Sequence, residues 1–245
     1  MQPIDPSESV PRGAGAVDAA SAPVVVFSSR LALLVFMATA VIGLAVSGLD
    51  PHDRATWWLE VLPVVVALPL LGWTHERFPL TWIAYLLIAL HTVILVTGGH
   101  YTYARVPLGF WMENVFHLVR NDYDRIGHFA QGFVPAIIAR EILLRRTPLR
   151  PGGWLSVIVV CVCMAISVCY EFIEWWTALI AGGAAEDFLG TQGDPWDTQW
   201  DMFSATLGAI AALLLLSRAH DRALAALPDS PAVSEPLRPP RCAKW

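Results

Sequence analysis

Between residues 154 and 180 the chain runs almost unbroken through apolar side chains, with Glu171 and Glu174 as the only charges. A helix of that length reaches roughly 40 Å at 1.5 Å per residue, more than the about 30 Å hydrocarbon core of a bilayer. A soluble domain spaces its apolar residues along one helix face; here they are gathered into runs. Backbone polar groups in lipid have to be bonded within their own segment, so a helix is the form such a run takes. The whole chain agrees, with 56 % apolar and only 15 % charged residues.

Further runs extend this reading to an all-α, polytopic transmembrane helix bundle of about six spans, near residues 31–49, 57–73, 80–96, 123–144, 154–180 and 196–216. Residues 30–218 form the membrane domain, and residues 1–29 and 219–245 are expected to be disordered cytoplasmic tails. Pro63 and Pro69 predict kinks in the second span. Gly98 and Gly99 read as a turn signal opening a polar, aromatic loop, followed by a short interfacial helix over 111–120. Asp194 ahead of Pro195 reads as an N-cap and first helical residue for the last span. Ala45, Val46 and Ser47 resemble a signal-peptide cleavage site, but the apolar stretch before them is long and the leading tail is poor in basic residues, so the span is read as retained.

Charge placement orients the bundle. Of the sixteen Lys and Arg residues, only Arg54, Arg105, Arg120 and Arg125 fall on one side of the six-span arrangement, and residues 182–194 carry none. By the positive-inside rule both tails face the cytoplasm. The net charge of −5 includes no basic stripe, which argues against nucleic acid as a partner. Cys161, Cys163 and Cys169 sit in one apolar run and Cys242 in the tail; without CxxC spacing they read as small packing residues.

On this topology the unusual polar residues collect at the outer ends of the helices. Glu60 opens the second span, Asp124 and His128 the fourth, and Asp197 and Asp201 the sixth, while Glu171 and Glu174 stand near the end of the fifth. Spacings of three and four put each pair on one helix face. Ionisable groups in a span usually turn inward and mark function. Carboxylates with an imidazole suit acid–base transfer or the binding of a divalent cation, the one cofactor these residues suggest. Structure offers rival explanations: Asp124 answers Arg120 or Arg125, and Asp197 in a first turn is favoured by the helix dipole. His91 reads as a packing residue; His100, Tyr101 and Tyr103 are placed at the mouth of the pocket. Ser204, Gly208 and Ala212 recur every fourth position, which lets another helix approach closely. No GxSxG, Cys–His pairing or Gly-rich phosphate loop supports nucleophilic catalysis.

The stretches WWLEVLPVVVALPLL, NDYDRIGHFAQGFVPAIIARE, CYEFIEWW and FLGTQGDPWDTQWDMFSATLGA strongly resemble the YjdF-type bacterial inner-membrane proteins, a family without a known reaction. The likeness covers roughly residues 31–220 and implies a multi-pass protein of the plasma membrane. A fainter likeness is to VanZ-like membrane proteins, associated with glycopeptide resistance. Asp124, His128, Glu171, Asp197 and Gly208 fit that pattern, while Glu174 and Asp201 stand where it tends to have Gln and Asn.

The functional expectation is an integral membrane protein with an acidic pocket near the outer face, read first as a membrane-embedded enzyme. Its catalytic groups or cation ligands would be Asp124, His128, Glu171, Glu174, Asp197 and Asp201, and its partners membrane lipids and a lipid-linked or envelope small molecule. A proton- or ion-coupled transporter component and a non-catalytic scaffold are the alternatives. The inner halves of the spans are read as poor in ionisable groups and no internal repeat is visible, which disfavours transport.

Overall fold

The computed structural model describes residues 28–181 and 191–227, so most of both expected tails, residues 182–190 and Cys242 lie outside the described residues. Among the described residues there are seven α-helices, one short 3-10 helix and no strand. They are α1 (Ser29–Ser47), α2 (Arg54–Thr74), α3 (Trp82–Tyr101), α4 (Pro107–Phe116), α5 (Tyr123–Arg146), α6 (Gly153–Ala181) and α7 (Asp197–Ala225), with the 3-10 turn Tyr103–Arg105 between α3 and α4.

The helix starts follow local chemistry. Ser28, Asp53 and Thr81 cap α1, α2 and α3 by accepting the amides of Leu31, Thr56 and Ala84. Pro107 at the first position of α4 needs no amide partner. The expected cap of the last helix is displaced: the Asp194 side chain takes the Trp196 amide at 2.9 Å in a turn, and α7 begins at Asp197 with no side-chain cap. At its other end α7 continues past residue 218 to Ala225, because Ala223 and Leu224 find buried positions in the bundle.

Five helices, α1, α2, α3, α6 and α7, are long and apolar enough to cross a membrane. The expected sixth span, α5, has 24 residues and therefore about 36 Å of length, but charged residues crowd both its ends. It tolerates them by position: α5 packs on α7, α6 and α3, so its neighbours supply the lipid-facing surface. Around it the bundle presents exposed apolar residues such as Leu34, Ile42, Val66, Leu90 and Leu214. Tryptophans more than half exposed stand at both ends, Trp73 and Trp154 at one and Trp58, Trp175, Trp176 and Trp196 at the other, as interfacial aromatics do.

The α5–α7 pair is the most extensive contact in the bundle, and small residues make it so. A Cβ at Gly132 would collide with the Ala205 carbonyl, and one at Gly208 with the Phe129 carbonyl, so the two backbones touch. The small-residue repeat predicted for this helix is therefore packing, centred on Gly208 and Ala212. Gly98 and Gly99 are also packing residues rather than a turn. Both lie in the last turns of α3, where a Cβ on Gly98 would run into the Tyr103 ring and one on Gly99 would crowd Glu60, Trp57 and Val61. Of the three described cysteines only Cys163 packs in the core; Cys161 and Cys169 are exposed on the outside of the bundle.

The helix ends that the sequence reading assigns to the cytoplasmic side are richer in charge than expected. Glu141 of α5 is fully buried, with Thr81 donating through its amide and hydroxyl (2.8–3.2 Å), Arg145 through a guanidinium nitrogen (2.7 Å) and His220 through Nε2 (3.1 Å). His220 Nδ1 in turn accepts from Arg140, which also pairs with Asp221 at 2.7 Å. Because arginine only donates, these partners place the His220 proton on Nε2. This network ties the starts of α3 and the ends of α5 and α7 together.

Candidate functional site: a buried carboxylate–imidazole cluster

Three helices deliver acidic side chains to the opposite end of the bundle. Asp124 and His128 are one turn apart in α5, Asp201 is in the second turn of α7, and Glu171 and Glu174 lie near the end of α6. His128 is the hub. Its Nε2 stands 3.6 Å from Asp124 Oδ1 and its Nδ1 3.9 Å from Glu171 Oε1, with Gln131 Oε1 at 3.2 Å from the same Nδ1. Ligand atoms of Asp124, His128 and Asp201 all lie within 4.8 Å of one another, and so do those of His128, Glu171 and Glu174.

What sets this cluster apart is missing partners. Glu171 is 7 % exposed and Asp201 1 % exposed, yet among the described residues no hydrogen bond reaches either carboxylate oxygen of Glu171 or Oδ1 of Asp201. A buried carboxylate oxygen without a donor is costly, and several facing each other repel. A cation, or protons shared among them, relieves both costs.

A polar layer covers the cluster. Arg120 bonds Asp197 at 2.5 Å and the Thr191 carbonyl at 2.8 Å, and Arg125 bonds Asp194 at 3.0 Å. Asn121 and Gln192 clasp reciprocally, the Asn121 amide donating to Gln192 Oε1 and Gln192 Nε2 to the Asn121 carbonyl. Asn121 sits where a Cβ on Gly109 would be, which seats α4 against this layer. The arginines thus engage Asp122, Asp194 and Asp197, while Asp124 faces His128.

Beside the cluster a cavity of about 360 Å³ opens between α2, α3, α5 and α6. Its polar end holds Glu60, Tyr103, Asp124, His128, Gln131 and Tyr170, and the Tyr170 hydroxyl donates to Glu60 at 3.0 Å. Tyr103 reaches in because Gly98 and Gly127 leave room for its ring.

Of the six sequence-nominated residues, Asp124, His128, Glu171, Glu174 and Asp201 converge, whereas Asp197 stands in the covering layer, bound to Arg120. His91 lines the cavity with its Nε2 lacking a partner. His100 does not reach the site: its Nδ1 bonds the Ser47 carbonyl at 2.9 Å, joining α3 to the end of α1, and Tyr101 is exposed. Sequence reasoning missed Tyr170, Gln131, Asn121 and Gln192. Tyr170 was open to discovery, since it precedes Glu171 on a helix whose acidic face was already singled out.

Membrane-crossing helices around a buried acid–imidazole cluster define a polytopic membrane protein with a polar site under one surface. The chain belongs to the family described as predicted membrane protein (DUF2238), whose model matches residues 32–222. It is similar to inner membrane protein YjdF of Escherichia coli (strain K12), 52 % identical over 178 residues that cover 73 % of this chain and 85 % of that protein. No solved structure matches it. It is an integral inner-membrane protein with multiple helical spans.

Proposed function

We propose that this protein is a membrane-embedded enzyme that binds a divalent cation at His128 and acts at the outer boundary of the membrane on a lipid-linked or envelope substrate. The observation that carries the reading is the set of buried, partnerless oxygens on Glu171 and Asp201 gathered around one imidazole. On this reading Asp124, Asp201 and His128 Nε2 hold the cation, and the second ring nitrogen faces Gln131 and Glu171, the outer-shell partner a ligating histidine commonly has. A carboxylate and imidazole donor set suits zinc or manganese. The cation would polarise an ester or phosphoryl oxygen, and Glu171 and Glu174 would accept or return the proton. Asp197 positions Arg120 over the site. The positive-inside bias supports an outward-facing site with both tails cytoplasmic.

A transporter would need a polar route across the bilayer. Residues 132–139 of α5 are uncharged and the cavity wall below Gln131 is apolar, which favours a one-sided site.

The test is thermal unfolding of the purified protein in detergent with and without Mn²⁺ or Zn²⁺, together with elemental analysis. Cation at a hundred times its Kd would stabilise the wild type by about 2.7 kcal/mol, and Asp201→Asn and His128→Ala would abolish that shift while staying folded. A wild type indifferent to both cations and to chelator would overturn the reading. Cation-driven ion flux in sealed vesicles would replace the enzyme with a transporter.

A further inference from the structure

The cavity beside the cluster continues well beyond its polar end. From Glu60 it follows α2 past Val64 and Ala67 to Leu71, roughly 16 Å at 1.5 Å per residue. The opposite walls are largely apolar as well, with Ile88 and Leu95 from α3 on either side of His91 and Thr92, Val134 and Ile138 from α5 and Ile166 from α6. Two lining residues, Leu70 and Ile166, are also 48 % and 39 % exposed, so the cavity opens sideways between α2 and α6. Those helices pack on α3 and on α5 but do not form a packed pair with each other. Among the described residues, the hydrogen bond that joins them is Tyr170 to Glu60, at the polar end of the opening. What surrounds Ile166 at mid-helix depth and Leu70 near the far end of α2 in a spanning bundle is hydrocarbon, and a largely apolar slot open to hydrocarbon favours an apolar occupant over water.

We infer that this slot takes one hydrocarbon chain of a membrane lipid, admitted sideways between α2 and α6, with the lipid's polar head at Glu60, Tyr170 and His128. The amphipathic layout argues for such an occupant: the carboxylates, His128 and the tyrosines cluster at one end, and beyond them the wall is apolar apart from His91 and Thr92 of α3. Tyr103 and Tyr170 supply hydroxyls for a head-group oxygen, and the partnerless Nε2 of His91 lies along the same wall. The inference gives the proposed enzyme its substrate class and rests on that reading for the fate of the head group. Chain binding itself does not require the cation.

Photocrosslinking of the full-length protein tests it, in vesicles of phosphatidylethanolamine and phosphatidylglycerol. One arm carries a diazirine at the end of a phosphatidylglycerol acyl chain and the other a prenyl phosphate with a terminal benzophenone, which separates the two sources of such a chain. Crosslinks are expected on Leu71, Ile138 and Ile166, with the arm that labels them more strongly naming the chain. Ala67→Trp would reduce them by about tenfold as the ring fills the slot, whereas Val157→Trp on the exposed face of α6 would leave them unchanged. Label spread evenly over the outer surface of the wild type would overturn the inference, as would full labelling of Leu71 and Ile138 in a folded Ala67→Trp. Labelling of the wild type is expected to persist in the presence of chelator, since chain binding does not require the cation; a wild type with full labelling and no cation shift overturns only the proposed function. Should Ala67→Trp fail to fold, the wild-type map decides alone.

Discussion

The two ends of the bundle use the same chemistry to opposite effect. At one end Glu141, His220, Arg140 and Arg145 form a closed set in which both Glu141 oxygens have donors and both His220 nitrogens have partners. At the other end Asp124, Glu171, Glu174 and Asp201 surround His128, cationic residues are held in the layer above, and several oxygens have no donor among the described residues. A closed network stabilises a fold, whereas an open one stores a demand for a ligand. The contrast distinguishes the two sets where burial alone does not, since both are largely buried.

The comparison breaks most sharply at Glu141. Glu141→Ala takes the carboxylate partner from half-buried Arg145 and from fully buried His220 and should cost about 3–5 kcal/mol, read by unfolding in detergent. Asp201→Asn, at the other end, should leave stability without cation unchanged or raised; equal losses at both ends would erase the distinction. Next in size is Gly208→Val, which forces α7 off the α5 backbone and should cost roughly 1–3 kcal/mol. It should also widen the site and weaken the cation shift, coupling the helix contact to the cluster.

The smallest effect lies outside both networks. Asp53 caps α2, and the Thr56 amide holds its carboxyl below the ordinary range. A folded pKa below the unfolded one means stability present above the unfolded value and lost as pH falls through the folded one. Asp53→Ala should therefore cost about 1 kcal/mol at neutral pH, with the gap from wild type closing in acid, below about pH 4.

The spanning helices were legible because apolar runs declare themselves by length, and α5 was found because its charges sit at its ends. The Glu141 network was not legible. Glu141 and His220 lie far apart in sequence, and each reads as a polar residue near a helix end until packing joins them. The His128 cluster was largely readable, because topology alone carries Asp124, His128, Glu171 and Asp201 to one level. Asp197 was placed there too, but its pairing with Arg120 depends on how the segment before α5 crosses the start of α7, which no local pattern encodes. Likewise Gly98 and Gly99 signal a turn by themselves; only the Tyr103 ring packed against them explains why they remain helical.

The touching backbones at Gly132 and Gly208 make α5 and α7 a single stiff beam that carries Asp124, His128 and Asp201 at a set spacing. Facing it, α2 and α6 meet across the opening through a phenol and a carboxylate, a hinge held by one bond. A guest would enter by parting those two walls, leaving the proposed cation site undisturbed, so that admission and the proposed coordination draw on different halves of the molecule.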